Sequence, residues 1–337
     1  MLEKPEIQDE TIIACLRAEY GLPIHQITFL PLGGDLCSAV YRAVAGDGAV
    51  YFCKLRCADF DEISVELPRF LSEQGIAQII SPIVTKSGGL WAELAPFHLI
   101  LYPFIEGTSG FEIELTGPQW TTFATALRRI HSTGVPPALA QKIQKEGYSS
   151  EWRDTFRSAI RRLDEETFTD PITLSLVKYL RPKRETILDL LGHAHQLAQA
   201  LSANPPEWVL CHTDIHPGNL FIDTHGTLYI IDWDYPVLAP KERDLMFIGG
   251  GQGYMNTTPQ KEETLFYGGY GPGPIDPIAM AYYRCERNIV DLSVECTRIF
   301  SSTVSDQDRA QSLQIITWLF LPEGSIEMAY QSIARLQ

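Results

Sequence analysis

The stretch CHTDIHPGNLFID, Cys211 to Asp223, decides how the rest of the chain is read. Apolar Val209, Leu210 and Cys211 lead into a polar loop, Pro217 and Gly218 fit a turn, and Asn219 opens the strand LFID. Thr224-His225-Gly226 turns the chain back into LYIID, so Asp214, Asn219 and Asp232 are expected at one end of a small strand pair. Oxygen donors such as Asn219 and Asp232 suit Mg²⁺, which takes one or two carboxylates together with substrate phosphates. Asp214 is then left to accept a proton from a hydroxyl. HxDxxxxN, with a second aspartate on the neighbouring strand, is the pattern kinase-like folds use for phosphoryl transfer. The histidines recede from the chemistry. His212 is expected to orient the loop, and His131, His193, His195 and His216 to be packed or surface groups.

Phosphoryl transfer also needs a cation from elsewhere, and upstream Lys54 in YFCKLR supplies one. A lysine inside a strand is unfavourable unless its ammonium has a partner, a task or solvent. The expected task is to hold nucleotide phosphates, paired with a glutamate on the following helix. Ile63, Leu67, Phe70 and Leu71 define that helix's apolar face and bring Glu66 nearer to it than Glu62, while Pro68 disturbs the wheel. Gly33 and Gly34 in LGGD are expected to cover phosphates through backbone N–H groups. In LILYPFIEG (99–107), Pro103 offers a carbonyl and Ile105 both backbone groups to an adenine.

Around these residues the chain changes texture. ITFLPL, SAVYRAVA and AVYFCKLRC read as strands, with a hairpin turn at Gly46-Asp47-Gly48. A helical stretch runs to Gly75, and further short strands continue to Gly107, which together suggest an antiparallel sheet with one helix. Beyond Gly107, Thr116-Gly-Pro-Gln119 has the form of a capping box opening a helix in which Trp120, Phe123, Leu127 and Ile130 recur. Helical stretches follow at roughly 149–167 and 171–202, and again beyond Lys241. The expected layout is α+β: a small β-rich lobe, residues 1–106, and a larger helical lobe, residues 107–337.

Composition bounds the partners. With 27 basic and 42 acidic residues the formal charge is −15, which argues against nucleic acid and suits a cationic small substrate. No apolar run approaches the roughly eighteen residues a membrane helix needs, and the N-terminus has no secretory pattern. A cytoplasmic protein, monomeric or weakly dimeric, is expected. Seven irregularly spaced cysteines read as reduced thiols and not as a zinc site.

VLCHTDIHPGN, YIIDWD and APKERDLMFIGGG together resemble the aminoglycoside phosphotransferases, and within them the spectinomycin phosphotransferase branch. That resemblance implies a two-lobed protein-kinase-like fold acting with ATP or GTP and Mg²⁺. It implies Asp214 as catalytic base, Asn219 and Asp232 as metal ligands, and Lys54 as the phosphate-binding lysine. DEI aligns Glu62, against the helical wheel, as the partner of Lys54, and Pro103 and Ile105 match the adenine positions. Trp233-Asp234 stands where protein kinases carry Phe-Gly, and no activation-loop stretch precedes Arg243-Asp244, so a constitutively assembled small-molecule kinase is expected. A cationic aminocyclitol acceptor calls for carboxylates and flat faces: Asp234, Glu286 and Asp291, with Trp233 and Tyr235. For Glu286 and Asp291 the competing expectation is an ion pair with Arg284 or Arg287. The competing functions are transfer to another alcohol (choline-like, a sugar or a biosynthetic intermediate), a nucleotide-binding scaffold, and a metal-dependent hydrolase.

Overall fold

The computed structural model describes residues 4–32, 38–57, 60–249 and 258–336. They form two compact units, one made of Met1–Gln144 and Pro217–Pro236, the other of Lys145–His216 and Val237–Gln337.

The first unit is built on a five-stranded antiparallel sheet, β1 (Ile24–Leu30), β2 (Ser38–Ala45), β3 (Val50–Cys57), β4 (Ala92–Leu94) and β5 (Phe97–Pro103), in the order β1-β2-β3-β5-β4. β3 lies in the middle, with Lys54 opposite Val40 on one side and Ile100 on the other. Tyr41, Cys53, Leu55, Leu99 and Leu101 form a core with Ile12 and Leu16 from an N-terminal helical segment, Asp9–Cys15 followed by Leu16–Tyr20. That segment was not legible as a helix beside the strands that follow. The helix Ile63–Glu73 forms despite Pro68 and buries Ile63, Val65, Leu67 and Leu71. Ser81–Thr85, expected as a strand, does not form one: Ile83 donates its N–H to the Leu101 carbonyl at 2.7 Å, and β4 begins only at Ala92.

The division expected at 106/107 is not where the compact units part. The strand β6 (Gly107–Ser109) pairs with Leu220–Asp223, which pairs in turn with Leu228–Ile230. This hydrogen-bonded sheet ties the motif hairpin to the N-terminal unit. Its closeness requires glycine, since a Cβ on Gly107 would run into the Ile222 carbonyl. Gly110 donates its N–H to the carbonyls of Pro217 (3.0 Å) and Leu220 (2.9 Å) and so anchors the turn that carries Asn219. The helix Gly117–Ser132 opens on the expected capping box, with Thr116 and Gln119 bonded reciprocally. Trp120, Phe123, Leu127 and Ile130 are buried as the periodicity requires.

The second unit is helical. Its axis is the 24-residue helix Pro277–Phe300, against which Glu151–Glu165, Arg184–Ala203, Asp306–Leu319 and Ser325–Ala334 pack. Asp276 caps this helix by accepting the N–H groups of Ile278 and Ala279, and Pro277 sits in the first turn, where no N–H is needed. Ala281, Cys285, Ile289, Leu292, Cys296 and Ile299 form its apolar stripe and bury with Phe156, Leu176 and Leu190. A strand pair, Val209–Cys211 against Val237–Ala239, carries the loop that follows Cys211. Cys15, Cys53, Cys211, Cys285 and Cys296 are buried thiols. No helix among the described residues is long and apolar enough to cross a membrane.

Candidate active site

In the first unit the site grows from the centre of the sheet. The Lys54 side chain is 14% exposed, and its ammonium lies 3.1 Å from Asp232 Oδ1 and 3.0 Å from both carboxylate oxygens of Asp234. Arg56, two residues along β3 and therefore on the same face, donates a second cationic bond to Asp234. Burial alone would lower the Lys54 amine, but the charges of Asp232 and Asp234 outweigh it and hold the group ionised well above its ordinary range.

Asn219 and Asp232 are placed by the hairpin. Leu220 pairs with Ile230, Asn219 precedes the first and Asp232 follows the second by two residues, so both extend from the same end. The Ile231 N–H bonds the Asn219 carbonyl at 3.0 Å and holds that end closed. Asp232 has φ +67°, a left-handed conformation that an aspartate tolerates at a cost of about 1 kcal/mol or more. The change of hand breaks the strand's alternation. Trp233 consequently turns inward, 5% exposed, with its indole N–H on the Ile230 carbonyl. It is therefore part of the core and not the flat face expected for an acceptor. Tyr235 is 68% exposed.

Three further expectations fall differently. The pairing of Lys54 with Glu62 is not present among the described residues: Glu62 is exposed at the start of its helix. Glu66 is bonded to Lys142 at 2.7 Å. Asp234, expected to face an acceptor, is instead held between Lys54 and Arg56. Gly33 and Gly34 lie outside the described residues. At the strand end, Phe104 donates to the Val50 carbonyl, which puts Tyr51 and Pro103 at a non-bonded pair of the β3–β5 ladder. Pro103 thus occupies a position where no N–H to β3 is missed.

In the second unit the loop after Cys211 is braced by Asp244, which is fully buried. Its carboxylate accepts the N–H groups of His212 (2.9 Å) and Thr213 (2.6 Å), and Thr213 takes φ +76°. The Asp214 N–H bonds His212 Nδ1 at 3.3 Å, so His212 orients the loop, as expected. The Asp214 carboxylate meets two cationic or polar partners: Arg287 Nη1 at 2.6 Å on Oδ1 and His216 Nε2 at 3.5 Å on Oδ2. Burial would raise this carboxyl, but the bond from His216 and the charge of Arg287 overcome it and hold Asp214 far below the usual carboxylate range.

Asp291 pairs with Arg287 at 3.0 Å, the competing expectation for this residue. Glu286 is buried and bonded to Arg153, which also donates to the carbonyls of Tyr148 and Ser149. Its partner is thus neither Arg284 nor Arg287, and its carboxylate is a structural tie. Arg284 bonds the carbonyls of Met246 and Ile248 instead. The sequence reading missed Arg56 and Arg153 as site neighbours. Arg56 had a signal, the two-residue period of β3. Arg153 had none, since it meets Glu286 across 133 residues.

In the first unit hard oxygen donors on one hairpin end and an ionised lysine in a strand interior, and in the second an ionised aspartate on a braced loop, are residue types that a kinase-like phosphotransferase uses. Comparison with known proteins agrees. Residues 29–274 match the phosphotransferase enzyme family. The chain is similar over 98% of its length, and 99% of the other's, to a spectinomycin phosphotransferase solved in complex with ADP and spectinomycin, at 36% identity and a TM-score of 0.91. Weaker likenesses concern the fold alone. An amicoumacin kinase is 16% identical with a TM-score of 0.63, covering 96% of this chain and 94% of that one. A choline/ethanolamine kinase family protein of Mesorhizobium loti is 18% identical with a TM-score of 0.56, covering 96% and 99%. No curated protein matches the chain in sequence. The chain belongs to the aminoglycoside phosphotransferase family of phosphotransferase enzymes, near its spectinomycin phosphotransferase branch.

Proposed function

We propose that the enzyme transfers the γ-phosphoryl group of ATP, or of GTP, to a hydroxyl of a spectinomycin-like aminocyclitol. The observation that carries the acceptor is the whole-chain likeness to a protein bound to ADP and spectinomycin.

Lys54 holds the α- and β-phosphates, with Asp234 and Arg56 fixing its place in the sheet. The Pro103 carbonyl and the Ile105 N–H receive the adenine edge. Asn219 and Asp232 fit a divalent cation: both offer oxygen, both extend from one hairpin end, and the Asp232 side chain is 47% exposed. When bound, Mg²⁺ neutralises phosphate charge. Asp214 orients the acceptor hydroxyl and receives its proton. Because Asp214 is held strongly ionised it is a weak base, which suits a loose transition state in which the hydroxyl loses its proton late. The formal charge of −15 favours a cationic acceptor.

The test is a panel of alcohols (spectinomycin, choline, simple sugars) incubated with labelled ATP or GTP and Mg²⁺. Transfer to spectinomycin supports the reading. Transfer to choline or a sugar alone moves the acceptor and keeps the reaction. Hydrolysis of an ester without nucleotide would replace the reaction itself.

A further inference from the structure

The Asp214–Arg287 contact has a feature that an ordinary ion pair on a helix lacks. Arg287 and Asp291 sit four apart on the helix Pro277–Phe300, a spacing at which such pairs form routinely. That pair uses Arg287 Nε, at 3.0 Å from Asp291 Oδ1 and 3.1 Å from Oδ2. The same guanidinium then sends Nη1 to Asp214 Oδ1 at 2.6 Å, across 73 residues of sequence, a short charge-assisted bond. Its carbon also lies 5.3 Å from the centre of the Phe247 ring, within reach of a cation–π contact. The arginine is therefore held from two sides, by a carboxylate and a ring, and both the Arg287 and Asp291 side chains are about three-quarters buried.

The loop that carries Asp214 is fixed through its backbone: Asp244 takes the N–H groups of His212 and Thr213, and His212 takes that of Asp214. None of these bonds fixes the rotation of the Asp214 carboxylate. Arg287 on Oδ1 does, together with His216 on Oδ2, and the planar Arg287 fork has its direction set by Asp291.

We propose that Arg287 is a positioning residue for phosphoryl transfer: supported by Asp291, it sets the rotation and negative charge of the Asp214 carboxylate that orients the acceptor hydroxyl. This rests on the assignment of Asp214 made above. Arg287 touches neither nucleotide nor metal ligand in this scheme, so its loss acts on turnover and not on nucleotide binding. Lysine in its place keeps the charge but cannot serve two carboxylates from one rigid plane. Asp291 acts one step further back.

The experiment measures kcat and the KM for ATP in Arg287→Met, Arg287→Lys, Asp291→Asn, Asp214→Asn and the double variant Asp214→Asn/Arg287→Met. The acceptor is spectinomycin, or the panel alcohol that the wild-type enzyme phosphorylates if spectinomycin is inert. Arg287→Met is expected to lower kcat about a hundredfold with the KM for ATP within about twofold, Arg287→Lys to recover about tenfold of that loss, and Asp291→Asn to lose about fivefold. In the Asp214→Asn background, Arg287→Met is expected to cost nothing further, because the group it positions is gone. A purely structural arginine would instead lower activity by the same factor in both backgrounds, and that result overturns the proposal. So does Arg287→Met with wild-type kcat while Asp214→Asn is inactive. Should Asp214→Asn itself keep wild-type turnover, the assignment of Asp214 falls and the role of Arg287 falls with it. Arg287→Lys separates lost function from lost folding, since it keeps a buried cation between the two carboxylates.

Discussion

Two sets of charges, one in each compact unit, are built on different plans. In the sheet unit, Lys54 and Arg56 meet Asp232 and Asp234, two cations against two carboxylates. In the helical unit a single cation, Arg287, stands between Asp214 and Asp291. The first set is balanced. In the proposed reaction phosphates engage Lys54 while Arg56 still compensates Asp234, so the lysine changes partners without leaving a buried charge alone. The second set keeps one negative charge in excess, while the bond from His216 and the charge of Arg287 hold Asp214 ionised. Under that proposal one array exchanges partners and the other stays anionic.

The comparison breaks most visibly at Asp232. If Asp232 holds the divalent cation, Asp232→Asn lowers kcat about a hundredfold to a thousandfold in assays at saturating Mg²⁺, a loss typical of removing charge stabilisation from a transition state. An unchanged rate would leave the balanced set with a structural role alone. The next effect is on stability. Asp234→Asn removes the carboxylate charge shared by Lys54 and Arg56, whose side chain is 7% exposed, and is expected to destabilise the fold by roughly 3–5 kcal/mol in urea unfolding. Asp291→Asn, by contrast, leaves Arg287 on Asp214 and is expected to change stability by about 1 kcal/mol.

A separate effect, on pH dependence, comes from a carboxylate outside both sets. Glu262 is buried and accepts the Gly249 N–H at 3.0 Å, and the charge of Arg284 offsets its burial only in part. Burial raises its carboxyl to about 8, where Arg287 instead holds Asp214 down. A raised value means that the folded state binds the proton more tightly than the unfolded chain. The associated stability is complete below the ordinary value of about 4.5 and is lost as pH rises through about 8. Between these limits the wild-type enzyme is expected to lose about 1.4 kcal/mol per pH unit at most, and Glu262→Gln to flatten that slope in unfolding curves taken from pH 5 to pH 8. Equal slopes would show that burial alone does not govern this group.

How much of this is legible in the sequence depends on distance along the chain. Asp214, Asn219 and Asp232 could be named from spacing, because a turn and a two-stranded hairpin fix where they extend. Lys54 could be named from its place in a strand interior. Capping at Thr116 and the buried stripe of the helix it opens follow from local rules of the same kind. Partners were not legible where they come from far away. Lys54 meets Asp234 across 180 residues and not the nearby Glu62, and Glu286 meets Arg153 and not its helix neighbours. Trp233 was misjudged for a conformational reason, the positive φ of Asp232, which no residue count reveals. The boundary at 106/107 failed because β6 is pulled into a sheet with a hairpin more than a hundred residues downstream.

The central claim is that Asp214 acts on the acceptor hydroxyl and not on the nucleotide. Paired measurements of turnover and of nucleotide affinity by calorimetry on Asp214→Asn test it most directly. The account predicts a loss of kcat of about a hundredfold to ten-thousandfold with the dissociation constant for ATP within about twofold of wild type. Near-wild-type turnover in that variant would contradict it.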